Sequence, residues 1–442
     1  MNRRTLLKGL GAAGLLLGGV VPARRARADA YAGPVLLTIQ ASGGWDPTMF
    51  CDGKTPNDAL QLSYRAPQKI GSVTCAPLQL SSGSVVLDDV PSFFTDLRSR
   101  LLVINGIDTQ TNSHIIGQKR VWSGTSADQG PALAALFAAA NLGQLALPAS
   151  YISLGGPGYD ANAGLVQVAR LNSTQQLSSL ASPNATSGVD CHDPAAYALI
   201  QDAINARLQR AMGNAGISTQ SAALAGLSSS RAATSGLKVL ADRLAAAPVT
   251  VASAFPKLAN LNDRSLTSYL TSAQTALTAF ACGVSASANI TTASAGFDTH
   301  SNHDQAHGAE MGRLLLMLRY VFQLSDQLGL ADRLYVVVGS DFGRTPTYNA
   351  NKGKDHWNVT SMLLSGPGIQ GDRVIGGTDE QLRPMRVAPN DPSKLLAYDD
   401  PNGVTLLPEH IHRSFRLRSG MTDAAVVSRY ALTGLESLDH LV

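Results

Sequence analysis

Pro34-Val35-Leu36-Leu37-Thr38-Ile39-Gln40-Ala41-Ser42-Gly43-Gly44-Trp45-Asp46 is the stretch on which the fold turns. Its first half is a nearly continuous apolar run, and it stops at paired glycines. That is the pattern of a buried strand meeting a loop. Further along the chain the pattern recurs. Leu101–Ile107 ends at Gly106 and Asp108, and Tyr151–Leu154 precedes Gly155-Gly156. Leu334–Val338 precedes Gly339-Ser340-Asp341, and Val359–Leu364 precedes Ser365-Gly366-Pro367-Gly368. Helical patterns lie between them at Ala132–Ala140, Ala195–Met212, Ser265–Cys282 and Asp304–Leu328. Buried strands alternating with helices predict an α/β fold, a mostly parallel sheet flanked by helices. Leu171–Ser265 differs: it is rich in Ala, Ser, Asn and Gln, poor in aromatics, and reads as a helical insertion or cap. Within it, the polar cluster Ser173–Ser187 also reads as a linker.

The chain has 442 residues, 44% hydrophobic and 15% charged. That is enough for one large α/β domain or two ordinary ones, and it excludes a disordered protein. The formal charge of +3 is carried by the N-terminus. Residues 1–30 hold six of the 35 basic residues and, in Asp29, one of the 32 acidic ones, so the remainder is near −2. Nucleic acid is therefore not expected as a partner.

Asn2-Arg3-Arg4-Thr5-Leu6-Leu7-Lys8, an apolar run from Gly9 to Val21 and the exit Ala28-Asp29-Ala30 read as a cleaved export signal. The paired arginines predict the twin-arginine translocase as the partner during export, with cleavage after Ala30. An uncleaved anchor is the alternative reading. No later run is long enough to span a bilayer, so no stable membrane anchor is expected. The predicted organisation is a signal at 1–30 and one α/β domain at 31–442 carrying the 171–265 insertion. The predicted location is periplasmic or secreted. An oxidising destination permits a Cys51–Cys75 disulfide. No C-x-x-C occurs among the four cysteines, which argues against a cysteine zinc site.

Four polar groupings follow predicted strands, where sites form in open α/β sheets. The first is Gly43-Gly44-Trp45-Asp46, whose glycines permit a sharp turn. The second is Thr111-Asn112-Ser113-His114. Adjacent residues do not face each other, so a metal is the more plausible activator of Ser113 than His114, and a helix N-cap is the bland reading of Ser113. The third is Gly296-Phe297-Asp298-Thr299-His300-Ser301-Asn302-His303-Asp304, with His307 beyond. Asp with neutral His is a ligand set for zinc, manganese or iron. His303 and His307, four apart, would share one helix face. The fourth is Gly339-Ser340-Asp341-Phe342-Gly343-Arg344-Thr345-Pro346, followed by Asp355-His356-Trp357. Arg344 is placed to hold a tetrahedral oxyanion.

These motifs, with the twin-arginine start, resemble an exported bacterial family, domain of unknown function 1501. That family is similar in fold to alkaline phosphatases and sulfatases. The resemblance implies an alkaline-phosphatase-like fold and roles at matching positions. Asp298, His300 and His356 would bind one divalent metal. Asp46 and Asp341 would bind a second with Ser113, the nucleophile. Phe342 departs from the pattern by standing where the superfamily often has a further ligand. The expected catalytic residues are Ser113, His114 and Arg344. The expected cofactor is one or two ions of zinc or manganese. The expected activity is hydrolysis of a small-molecule or polymeric phosphate or sulfate ester. The rival is a non-catalytic exported protein acting in envelope or polymer assembly.

Overall fold

Val35–Ala41 forms strand β1, buried at every residue. Successive side chains of a strand face opposite sides of the sheet. Accordingly Val35, Leu37 and Ile39 enter one hydrophobic cluster, while Leu36 enters another on the far side. The computed structural model describes residues 31–442 except 56–65, 129, 144, 146, 172–175, 178–180, 187–188, 218–219, 222, 226, 229–233 and 422–423. The expected export signal at 1–30 and parts of Ser173–Ser187 lie outside the described residues.

Seven more strands join β1: β2 (Leu102–Asp108), β3 (Tyr151–Gly155), β4 (Val168–Leu171), β5 (Ser287–Thr291), β6 (Leu334–Ser340), β7 (Val359–Ser365) and β8 (Arg373–Ile375). Their order is β8-β2-β7-β6-β1-β5-β3-β4. Neighbours run parallel from β6 through β1, β5 and β3 to β4, and between β8 and β2. Strand β7 alone opposes both its neighbours, β6 and β2. This decides where the site lies. The leading end of β7 reaches the same sheet edge as the trailing ends of the parallel strands, with Val359 opposite Asp108.

The principal helices are α1 (His114–Ser123), α2 (Leu133–Leu142), α3 (Pro194–Gly213), α4 (Thr234–Ala246), α5 (Arg264–Ala281), α6 (His303–Gln327) and α7 (Pro408–Arg418). Leu270, Leu277, Leu314 and Leu315 of α5 and α6 pack with Val35, Leu37 and Ile39. Val121, Phe137, Ile411 and Phe415 of α1, α2 and α7 pack with Leu36 and Val337 on the other face. The fold is thus the expected α/β class, a largely parallel sheet between helical layers. The described residues of 171–265 form helices α3 and α4 and a small hairpin pairing Ala185–Thr186 with Val189–Asp190. Leu240 and Leu244 of α4 join the larger core cluster, whereas α3 buries only Leu208.

The Cys51–Cys75 disulfide that the sequence permitted is not formed. All four cysteines are free, and the Cys51 thiol, buried in the core, donates to Asn105 Oδ1 at 3.4 Å. Among the described residues no helix is long and apolar enough to cross a membrane.

Candidate metal centre

Residues after β1, β2, β5 and β6, and those before β7, meet at one edge. The paired glycines set the first contact. Gly43 has φ +114°, and a Cβ there would lie 2.5 Å from the main-chain nitrogen of Asp298. Only glycine lets the β1 turn pass so close to the loop that carries Asp298.

Asp298 is the hub. Its Oδ1 lies 3.0 Å from His300 Nε2, 3.1 Å from His356 Nε2 and 2.6 Å from Arg344 Nη2. Its Oδ2 lies 3.4 Å from His114 Nε2. The opposite nitrogen of each histidine is already engaged. His114 Nδ1 donates to Asp341 Oδ2 at 2.8 Å, His300 Nδ1 to Asp355 Oδ1 at 2.8 Å, and His356 Nδ1 to the carbonyl of Asn112 at 2.8 Å. A neutral imidazole carries one N–H. In a neutral ring with that proton directed outward, the inner Nε2 presents a lone pair; His114, whose Nε2 also meets Asp298 Oδ2, must first lose a second proton to do so. His300 Nε2 and His356 Nε2 face each other at 3.0 Å, which two lone pairs do not tolerate without a cation or proton between them. Rings anchored at the outer nitrogen by a carboxylate or carbonyl are the usual setting of metal-ligating histidines. Donor atoms of His114, Asp298 and His356 all lie within 4.8 Å of one another, and His300 adjoins them.

The charges are strongly coupled. Bonds to Asp298 and then Asp341 push His114 up to about 9. Burial would raise the Asp298 carboxyl, but His114, Arg344 and His356 outweigh it and hold it far below the usual carboxylate range. Bonds from His300 and Asn349 lower Asp355.

The structure redistributes the remaining expected residues. Asp341 is fully buried and accepts from His114, the Gly43 amide (3.1 Å) and Gln118 (3.2 Å), so it orients the His114 ring. Ser113 is exposed at the N-cap position of α1, beside Asn112, whose carbonyl holds His356. Arg344 is buried, and its donors serve the carbonyls of Gly43, Gly44 and Lys354 as well as Asp298. It braces Asp298 and the turns around it, and does not project toward solvent to meet an oxyanion.

Asp46 belongs to a second, deeper cluster. Its Oδ1 accepts from the Thr48 amide (2.9 Å) and hydroxyl (2.7 Å), and its Oδ2 pairs with Lys354 Nζ at 2.7 Å and His303 Nε2 at 3.1 Å. Both partners in the lysine pair are fully buried. Desolvation alone would raise the Asp46 carboxyl, but Lys354 and His303 bring it well below the usual range. His303 and His307 do share a face of α6, their rings stacked at 4.5 Å, and both serve this cluster. His307 Nε2 accepts from the Asp46 amide at 2.9 Å. Burial lowers both imidazoles. Sequence reading missed Lys354, because a lysine between Gly353 and Asp355 in a glycine loop carries no sign of being buried. His114, expected from the sequence as a catalytic residue, lies beside Asp298 and Asp341, while the Asn112 carbonyl was legible only as a neighbour of Ser113.

An α/β sheet with a histidine–aspartate centre at the strand ends is therefore the class this structure defines. The family model described as "Protein of unknown function (DUF1501)" matches residues 49–397, and the chain belongs to that family. No curated protein matches it in sequence. Among solved structures it is similar to the lipoteichoic acid synthase LtaP from Listeria monocytogenes, at 8% identity and TM-score 0.40, covering 93% of this chain and 75% of that one. It is also similar to an alkaline phosphatase superfamily protein from Vibrio parahaemolyticus, at 10% identity and TM-score 0.31, covering 81% and 64%. A third likeness is to a putative sulfatase from Bacteroides thetaiotaomicron, at 10% identity and TM-score 0.33, covering 92% and 73%.

Proposed function

We propose that this protein is a metal-dependent hydrolase of phosphate or sulfate esters, with one divalent ion, zinc or manganese, held by His114, Asp298, His300 and His356. The observation that carries the reading is the convergence of three outward-anchored histidines on one carboxylate. Imidazole with carboxylate suits zinc or manganese. When bound, such an ion supplies Lewis-acid stabilisation of developing negative charge and lowers the pKa of a nucleophile.

The chain's own residues supply the rest. Asp341, Asp355 and the Asn112 carbonyl keep the histidine rings oriented. Arg344 holds Asp298 ionised and in place. Ser113 is the proposed nucleophile, at the start of α1. The first-turn amides of that helix have no intrahelical acceptors, and the helix dipole favours an anionic transferred group there. With Asp46 bound to Lys354, the ammonium neutralises the carboxylate that a second ion would have needed. One ion is therefore the expected stoichiometry. Export by the twin-arginine translocase to the periplasm or beyond, with removal of residues 1–30, completes the proposal.

The deciding experiment is elemental mass spectrometry of the purified exported protein, followed by turnover of aryl phosphates and sulfates. About one zinc or manganese per chain with ester cleavage is the expected result. A stable metal without turnover would favour the non-catalytic reading, toward which points the exposed Ser113, whose side chain makes no capping bond at the start of α1. Absence of metal from protein given zinc and manganese would overturn the site.

A further inference from the structure

Arg120, Arg344 and Arg416 are each more than nine-tenths buried. Two have a carboxylate: Arg120 pairs with Glu409 at 2.7 Å and Arg344 with Asp298 at 2.6 Å. Arg416 has none among the described residues. Its Nη1 donates to the Tyr430 carbonyl at 2.6 Å and its Nη2 to the Ser123 carbonyl at 3.2 Å. Its Nε is buried without any acceptor. Ser123 is the last residue of α1, so that carbonyl offers the partial negative charge of a helix end, which is less than a counter-ion. Proteins rarely bury a full charge without pairing it.

Arg416 also lies where two cavities adjoin. One, of about 670 Å³, is lined by Ser123, Thr125, Asn162 and Arg170 and by the apolar side chains of Pro131 and Ala161. The other, of about 420 Å³, is lined by Leu417, Met421, Val427 and Leu432. Arg416, Ala431 and Leu432 border both. The other charged groups in these walls are already paired: Arg170 with Asp160 at 2.6 Å, Asp128 with Lys119 at 2.6 Å, and Arg413 with Asp439 at 2.6 Å. Arg416 is thus the unneutralised charge at the junction of two chambers, the smaller of them walled largely by aliphatic side chains. Leu417, at the rim of the apolar one, is 65% exposed.

We propose that this junction binds an amphiphilic carboxylate. Its head group meets the Arg416 guanidinium from the larger cavity, and its short aliphatic tail fills the smaller one. A planar guanidinium matches a carboxylate through two parallel N–H bonds, and it has donors left to make them. The tail removes the leucine, methionine and valine side chains of the smaller chamber from water. This site shares no residue with the metal centre and stands or falls independently of it.

The test is calorimetric titration of the purified protein with octanoate, with octanol and acetate as controls. The expected result is saturable octanoate binding, weakened at least tenfold in Arg416→Gln, with octanol and acetate each binding at least tenfold more weakly. Arg416 is buried, so its replacement can compromise folding. Ala431→Trp, at an exposed position, blocks the shared wall while keeping the guanidinium, and it should weaken octanoate to the same degree. No saturable octanoate binding, or unchanged affinity in Ala431→Trp, overturns the site. Octanol binding as well as octanoate overturns the role of Arg416, and acetate binding as well overturns the role of the apolar chamber.

Discussion

Asp46 and Asp298 are both aspartates at the same sheet edge, and their surroundings give them different work. Asp298 faces three imidazole nitrogens that point inward, whereas both oxygens of Asp46 are taken up by Thr48, His303 and Lys354. Asp298→Ala and His356→Ala should therefore abolish metal uptake, read by elemental mass spectrometry. Asp46→Asn should keep the metal but strand the Lys354 ammonium, at a cost of about 3–5 kcal/mol in urea unfolding, because breaking a buried pair leaves an uncompensated charge. Loss of metal in Asp46→Asn with stability intact would return Asp46 to the ligand set. His114 yields a pH test. Its two carboxylate partners raise it to about 9, above its ordinary value near 6.5, so the metal-free folded protein keeps that proton through neutral pH. The stability this contributes is present in full below 6.5 and is lost as pH rises through 9. A metal must displace the same proton, so its affinity should tighten by about tenfold per pH unit between 7 and 9. A pH-independent affinity, measured by titration calorimetry, would remove His114 from the ligands.

At the scale of elements, the centre depends on how closely α1 approaches the end of β6. A Cβ on Gly117 would fall 2.3 Å from the Asp341 carbonyl, so this helix rests directly on the strand end that carries the partner of His114. Gly117→Ala should push α1 outward, break the His114–Asp341 bond and weaken metal binding at least tenfold. Since Gly→Ala in a helix interior is otherwise stabilising by about 1 kcal/mol, a variant that is more stable and binds metal normally would show that the approach is not critical. The opposite end of α1 is held by α7. His412 Nε2 donates to the Val121 carbonyl at 2.8 Å, and burial depresses this imidazole to about 3. The folded value lies below the unfolded one near 6.5, so His412 must stay neutral in the native state. Its contribution is present above pH 6.5 and is lost as pH falls toward 3, with a slope of up to about 1.4 kcal/mol per pH unit for the single proton. Urea unfolding of wild type and His412→Gln at pH 7 and pH 5 checks this, the variant being expected to lose less stability on acidification.

At the scale of the whole molecule, the export proposed for this chain rests on residues 1–30, which hold six of the 35 basic residues, while the remainder is near −2. Replacing both Arg3 and Arg4 by Lys should block export and leave precursor inside the cell, detected by fractionation, with the wild-type mature protein beginning near residue 31. Normal export of the double-lysine variant would argue for another route. In the folded body, the antiparallel placement of β7 brings His356 to the edge where Asp298 and His114 lie.

The sequence by itself determined the α/β class. An apolar run such as Val35–Ile39 closed by Gly43-Gly44 has few solutions other than a strand buried on both faces, and helices between such runs cover those faces. It also marked where chemistry collects, because histidine density at Asp298–His307 and the motifs ending β6 and preceding β7 are local signals. Tertiary structure alone decided which of these groups meet. The direction of β7 is not written in Val359–Leu364, since a strand buried on both faces reads the same in either orientation. The ammonium beside Asp46 comes from a residue 308 positions away, so whether that carboxylate is filled or open depends on long-range packing. Single segments divide between the two centres: 298–307 sends Asp298 and His300 to one and His303 and His307 to the other, and 354–356 sends His356 to the first and Lys354 to the second, a partition that only the packing decides.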